Sequence, residues 1–323
     1  MIDRRRLLTL AATFAVAPAV PRAALAEDWP TRPVRVIVPY PAGGSTDVVT
    51  RITADWLTQA WGQQMVVENK PGASSNLAAA FVAHSNPDGY VMFTGTSALA
   101  TTRLLYRSLT YSLSDLAPVS MICTFPALLL TPMSSPAKSL PEFIAFAKQN
   151  KGHVAYASPG VGTMPHLAGE MLKQMAGIEM THVPYRGDAS ALPDTIAGRV
   201  HLYIGGSALL EQVRSGQVRA LAVTTAQRSP LAPDLPSVAE AGLPGFDAAG
   251  FFAFFVPAKT PRAIIDKIHA GTVAAVLDPA IKAKFDKIAM APVGSTPEEL
   301  AAALKAETDR WGPVIKEAKI ALD

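Results

Sequence analysis

The run Val34-Arg35-Val36-Ile37-Val38-Pro39-Tyr40-Pro41-Ala42-Gly43-Gly44-Ser45-Thr46-Asp47 constrains this chain more than any other stretch. Its first five residues are β-branched and apolar apart from Arg35, the composition of a buried strand. Pro39 and Pro41 end that strand, because neither can donate a ladder hydrogen bond. Gly43-Gly44 permits a sharp turn and a close backbone approach to a ligand. Ser45, Thr46 and Asp47 are N-cap types, and Val48, Val49, Ile52 and Trp56 follow at helical spacing. A strand therefore feeds through a glycine loop into a helix whose first amides and positive dipole end can meet an anion. The loop has no lysine and lacks the dinucleotide spacing, so it matches neither a Walker loop nor a Rossmann fingerprint. A carboxylate or other small anion suits it better than a nucleotide; an ordinary βα turn is the plain alternative.

The N-terminus reads as a targeting signal. Arg4-Arg5-Arg6 is a positive n-region, residues 7–20 are apolar, and Ala24-Leu25-Ala26 is a small-residue cleavage site. Residues 1–26 are thus expected to be a signal peptide, twin-arginine-like, cleaved after Ala26, with the mature protein in the periplasm. Removing its four arginines and one aspartate from the 29 basic and 26 acidic residues leaves 25 of each. That balance gives no argument for a nucleic-acid partner. The remaining length exceeds what one core usually supports, so two domains are expected. Cys123 is the single cysteine and reads as a small buried hydrophobe.

Along the chain, strands at 65–68, 90–94, 154–157, 181–183, 200–204 and 219–224 alternate with helical patterns, which argues an α/β fold with largely parallel sheets. Residues 118–131 read as a first crossing between domains, and the β-prone run 250–256 as the return. The expected division is 27–126 with 250–323 as a discontinuous first domain and 127–249 as the second. Ser139-x-x-Glu142 and Ser237-x-x-Glu240 read as capping boxes. Thr260-Pro261 and Thr296-Pro297 read as N-caps of C-terminal helices that return to the first domain.

Several strand-end loops share one chemistry, and open α/β sheets bind ligands outside the carboxyl ends of their strands. The first contributes Tyr40, Ala42, Gly43, Gly44, Ser45 and Asp47 to a candidate ligand-binding set. The second contributes Thr96 and Ser97; the third Ser158, Gly160, Gly162 and Thr163, with His166 just inside the helix that follows. A fourth contributes Arg186, Gly187, Asp188 and Ala189, and Gly206 closes the strand at 200–204. Asp47 is expected to answer its own helix dipole rather than to act chemically. His166 either faces the cleft or bonds the loop backbone, and Asp188 either faces the cleft or caps the helix at 189–196. The histidines are scattered, no nucleophile elbow is present, and no metal, cofactor or catalytic residue is expected.

With these residues in view, the chain resembles the periplasmic solute-binding receptors of tripartite tricarboxylate transporters, the Bug family. The resemblance rests on Arg32-Pro33-Val34-Arg35-Val36-Ile37-Val38-Pro39-Tyr40-Pro41-Ala42-Gly43-Gly44 with Asp47, and on Val67-Glu68-Asn69-Lys70-Pro71-Gly72-Ala73. Pro87-Asp88-Gly89-Tyr90, His182-Val183-Pro184-Tyr185-Arg186-Gly187 and Val238-Ala239-Glu240-Ala241-Gly242-Leu243-Pro244-Gly245-Phe246 add to it. It implies a two-lobed Venus-flytrap fold, type II-like, with two mainly parallel sheets and a hinge. It further implies a receptor that holds a small organic carboxylate through loop amides and waters, then presents it to the membrane components of a transporter. A monomer is expected. An orphan receptor serving a sensor system, or an enzyme on the same fold, are the competing readings. Asp188 departs from the family pattern and would repel a second ligand carboxylate unless Arg186 offsets it. His201 departs from it as well.

Overall fold

The computed structural model describes residues 29–230 and 232–322. The signal segment read at residues 1–26 lies outside the described residues. From the N-terminus run β1 (Val34–Val38), α1 (Ser45–Trp61), β2 (Met65–Asn69), α2 (Asn76–Ala83), β3 (Val91–Thr96) and the short α3 (Thr102–Leu105). The long β4 (Leu116–Pro132) leads to α4 (Leu140–Gln149), β5 (Ala155–Ser158), α5 (Met164–Ala176), β6 (Thr181–Pro184), α6 (Asp188–Ile196), β7 (Leu202–Gly206), α7 (Leu210–Arg214) and β8 (Val218–Val223). The chain returns through β9 (Ala249–Pro257) to α8 (Arg262–Leu277), α9 (Pro279–Lys287), β10 (Ala291–Pro292) and α10 (Pro297–Glu317).

The strands join in the order β2-β1-β3-β9-β4-β7-β5-β6, with β8 and β10 also on β4. β1 is parallel to β2 and β3, and β5 to β6 and β7. Every pairing of β4 and β9 is antiparallel. Instead of two separate, mainly parallel sheets, a single mixed sheet is continuous through β4. The reason is mechanical: the chain goes out along β4 and comes back along β9, and neighbours running in opposite directions pair antiparallel. β4 also changes partner partway. Phe125 and Pro126 pair with Gly250 and Ala249 of β9, whereas Ala127 and Leu128 pair with Gly206 of β7 and Val223 of β8. Pro126, which has no N–H to donate, stands at the change of partner.

β9 reads as an unbroken apolar run because both of its faces are covered. Phe252, Phe254 and Val256 enter one buried cluster, while Phe251, Ala253 and Phe255 enter another. α8 and α9 pack on α1, and α8 and α10 on β4. Thr296 and Glu299 close a reciprocal capping box at the start of α10. Two expected starts differ. Ser237 and Glu240 do form the reciprocal bonds of a box, yet only a turn follows, which Gly242 and Pro244 stop from propagating. Thr260 turns its hydroxyl back to the Pro257 carbonyl, and Pro261 takes the cap position of α8.

Ahead of α2, Ala73, Ser74 and Ser75 all take positive φ, with Ser75 at 83°. A left-handed residue with a Cβ costs about 1–2 kcal/mol, and the buried Ser75 hydroxyl makes no hydrogen bond in return. Ser75→Gly is therefore expected to stabilise the protein by about 1 kcal/mol. A thermal or urea melt of the ligand-free variant checks this, and a lower midpoint would contradict it.

Candidate functional site

The site begins where α1 does. Gly44 is the N-cap, with extended φ and ψ, and Val48 N–H donates to its carbonyl at 3.0 Å. The amides of Ser45, Thr46 and Asp47 are then first-turn donors with no acceptor inside the helix. The cap-type residues Ser45, Thr46 and Asp47 do not cap. A glycine needs no side chain there, and its use places Ser45 at the first helical position with its hydroxyl free to reach across. Asp47 pins the loop from behind. Its carboxylate accepts from Gly43 N–H at 2.9 Å, Arg51 Nε at 3.0 Å and Asn69 Nδ2 at 2.8 Å. Burial alone would raise its pKa, but the Arg51, Gly43 and Asn69 donors outweigh that and hold it below the usual carboxylate range.

The start of α1, through Gly44, Ser45 and Thr46, borders a cavity of about 50 Å³, the space of about three or four water-sized groups. From the β1 side, Tyr40, Pro41, Gly44, Ser45 and Thr46 line it, with Thr96 and Ser97 at the end of β3. From across the cleft come Pro159, Met164 and Pro165 at the start of α5, residues 186–189 at the start of α6, and Gly206 at the end of β7. Phe125 of β4 and Phe252 of β9, stacked at 4.5 Å between ring centroids, supply an apolar wall. Desolvation pushes the Tyr40 phenol up to about 12, with the Thr96 hydrogen bond opposing and Asp188 adding to the rise. Tyr40 therefore serves as a neutral hydroxyl.

Asp188 is the buried charge of this wall. Gly187, at φ 99°, is the N-cap of α6 and Asp188 its first residue, so the aspartate side chain is not a cap. Its Oδ1 accepts from the Tyr203 hydroxyl and from Gly206 N–H at 3.2 Å, and its Oδ2 from the Ser45 hydroxyl at 2.7 Å. The Ser45 bond joins α1 to α6 across the cleft. Burial first, and then the Asp188 charge, raise the Tyr203 phenol well above its ordinary value, which keeps it a donor.

Ten of the eighteen residues in the candidate set border this cavity: Tyr40, Gly44, Ser45, Thr96, Ser97, Arg186, Gly187, Asp188, Ala189 and Gly206. The others do not reach it. Ala42 and Gly43 lie exposed on the outside of their loop, and Asp47 faces Arg51 and Asn69. In the third loop the polar groups are consumed locally. Ser158 Oγ bonds His182 Nε2 at 2.7 Å, and Gly160 N–H donates to Ser158 Oγ. Gly162 N–H donates to His166 Nδ1 at 2.9 Å, and Thr163 caps α5. His166 thus bonds the loop backbone and stacks on His182 instead of facing the cleft. Gly160 lines an adjoining groove with Tyr40, Ser74 and Arg186. His201 accepts the Ala155 amide at 3.1 Å, an ordinary structural bond. Sequence reasoning read Phe251, Phe252, Phe254 and Phe255 as core with one face able to roof a pocket, and Phe252 does so; it missed Phe125, Met164 and Pro165, since apolar residues in strands and helices carry no signal distinguishing a pocket wall from core. Among the described residues no cluster of His, Cys, Asp and Glu is arranged to hold a metal, and no helix is long and apolar enough to cross a membrane.

Two lobes of α/β structure, joined through β4 and β9 and enclosing a small cavity between helix N-termini, define a periplasmic-binding-protein architecture. A family model described as tripartite tricarboxylate transporter family receptor matches residues 49–320. The chain belongs to that family. It is similar to the R. palustris protein Rpa4515 with adipate (38% identity, 91% of this chain and 99% of that one, TM-score 0.88). It is also similar to the periplasmic binding protein BugD (30% identity, 91% of this chain and 99% of that one, TM-score 0.86). A third likeness is to MatC from Rhodopseudomonas palustris with bound malate (30% identity, 89% and 100% of the chains, TM-score 0.82). The family is one of transporter receptors, and BugD is a periplasmic binding protein.

Proposed function

We propose that this protein is an extracytoplasmic receptor for a small organic carboxylate, held in the cavity between the lobes with its carboxylate at the N-terminus of α1. The observation that carries the reading is the pair of first-turn residues Ser45 and Thr46, whose amides have no acceptor inside α1, bordering the cavity between the lobes. Amides and a helix dipole complement a carboxylate without a buried cation. The adipate and malate bound by two relatives support the same class. Water-mediated contacts at such a site lose little enthalpy and accommodate different acids.

The lobes divide at 27–126 with 250–323 against 127–249, a division supported by the change of β4 partners at Pro126 and Ala127. Function is conformational. The open form captures the acid, closure brings Ser45 to Asp188, and the closed form of the monomeric receptor is read by the membrane components of a tripartite tricarboxylate-type transporter. The protein works in the periplasm after loss of residues 1–26. A thermal-shift screen of unfolded and refolded protein against a carboxylate panel tests the reading. A ligand at a hundredfold over its Kd should add about 2.7 kcal/mol, and stabilisation by one acid class is expected. No shift with any acid, together with turnover of one of them, would overturn it.

A further inference from the structure

The cavity presents two unlike surfaces to a ligand. The amides of Ser45 and Thr46 offer donors. The Asp188 carboxylate, only 8% exposed, offers acceptors. It has three donors around it, from Tyr203, Gly206 and Ser45, and all three are neutral. An ionised carboxylate has about four lone-pair sites, so Oδ2 retains room for one more donor. Ser45, whose hydroxyl donates its hydrogen bond to Asp188, presents only lone pairs to the rest of the cavity. Buried charges are normally paired with an opposite charge, and Asp188 forms no ion pair among the described residues. Arg186, the other charged residue of the wall, is exposed and shares the adjoining groove, where water and salt screen it. A ligand that fits both surfaces carries a carboxylate for α1 and a cationic donor for Asp188.

We infer that Asp188 is a specificity-determining residue that selects small carboxylates bearing an ammonium group and rejects those bearing a second carboxylate. The inference rests on the carboxylate-receptor reading and narrows its ligand class. It differs from a preference for diacids, which would bring a second anion beside a buried one that has no cation to offset it.

The test is calorimetric titration of refolded protein with matched probes in which an ammonium stands where a second carboxylate would be. The pairs are β-alanine with succinate, 4-aminobutanoate with glutarate, and 5-aminopentanoate with adipate. Wild type is expected to bind the amino member of at least one pair tenfold or more tighter than its diacid. Asp188→Asn keeps an oxygen for Tyr203 and Gly206 and turns an N–H₂ towards Ser45, so the preference should vanish or invert. Should the variant not fold, the wild-type ratio decides alone. Diacids bound as tightly as their amino partners, or a preference unchanged in Asp188→Asn, would overturn the inference and leave the carboxylate reading standing. Binding of neither class would overturn both.

Discussion

Replacing Gly206 by alanine is expected to weaken binding of a cavity ligand at least tenfold while leaving the ligand-free protein nearly as stable as wild type. Gly206 ends β7 at φ −65°, a conformation any residue adopts, so the backbone sets no penalty. The space does. An added Cβ would overlap Ser45 Oγ, with Ser45 Cβ at 3.3 Å and Asp188 Oδ2 at 3.0 Å. In the proposed division Ser45 belongs to the opposite lobe, so the severe part of the clash exists only when the lobes are together, whereas Asp188, on the lobe of Gly206, has to give by only a few tenths of an ångström in either state. It can be relieved by turning the Ser45 hydroxyl away, which breaks the bond to Asp188, or by holding the lobes apart. Either way the cost falls on the closed state, and a tenfold loss corresponds to about 1.4 kcal/mol. Titration calorimetry reads the affinity, and small-angle scattering reads whether ligand still compacts the molecule. Wild-type affinity and wild-type compaction in Gly206→Ala would show that closure does not bring these residues together as proposed.

Much of this frame is legible in the residues. The strand, glycine loop and helix at 34–61 declare themselves because proline, glycine and helical spacing each have one local meaning. The crossings at β4 and β9 are visible as long β-prone runs. Their antiparallel pairing is not, since strand direction depends on contacts between residues more than a hundred positions apart, such as Phe125 with Gly250. The same limit applies to the site. Loop glycines and hydroxyls mark the rim of a cleft, but sequence does not say which way they turn. Ser158, Thr163 and His166 carry the same polar chemistry as Ser45 and Thr96, yet they bond the loop backbone and, for Ser158, His182. The bond from Ser45 to Asp188 joins positions 143 apart, and no local pattern announces it.

That inward-facing cluster leads to the second large effect: stability should fall steeply as pH drops from 6.5 towards 4. His166 and His182 stack at 3.9 Å between ring centroids, with Tyr156, Glu170 and Lys173 around them. Burial first, and then Lys173, lower His166 from 6.5 to about 4. Burial and the neighbouring His166 lower His182 to about 3, with Glu170 opposing. The folded protein therefore keeps both rings neutral in a range where the unfolded chain, titrating near 6.5, has already taken up protons. The contribution is complete above about 6.5 and is lost as pH falls from there towards the folded values. Each ring adds a slope that reaches about 1.4 kcal/mol per pH unit once the unfolded ring is protonated, so the pair removes about 4 kcal/mol between pH 6.5 and 4.5. Comparing urea midpoints of wild type with His166→Asn/His182→Gln across that interval isolates the pair from the carboxylates, which titrate in both proteins. The difference between the two should shrink steadily as pH falls, and a constant difference would refute the assignment. Because His166 holds the Gly162 amide and His182 holds Ser158, protonation also loosens the loop that carries Pro159 into the cavity wall. Ligand affinity should decline over the same interval, at a pH where a carboxylate ligand of ordinary pKa is still ionised.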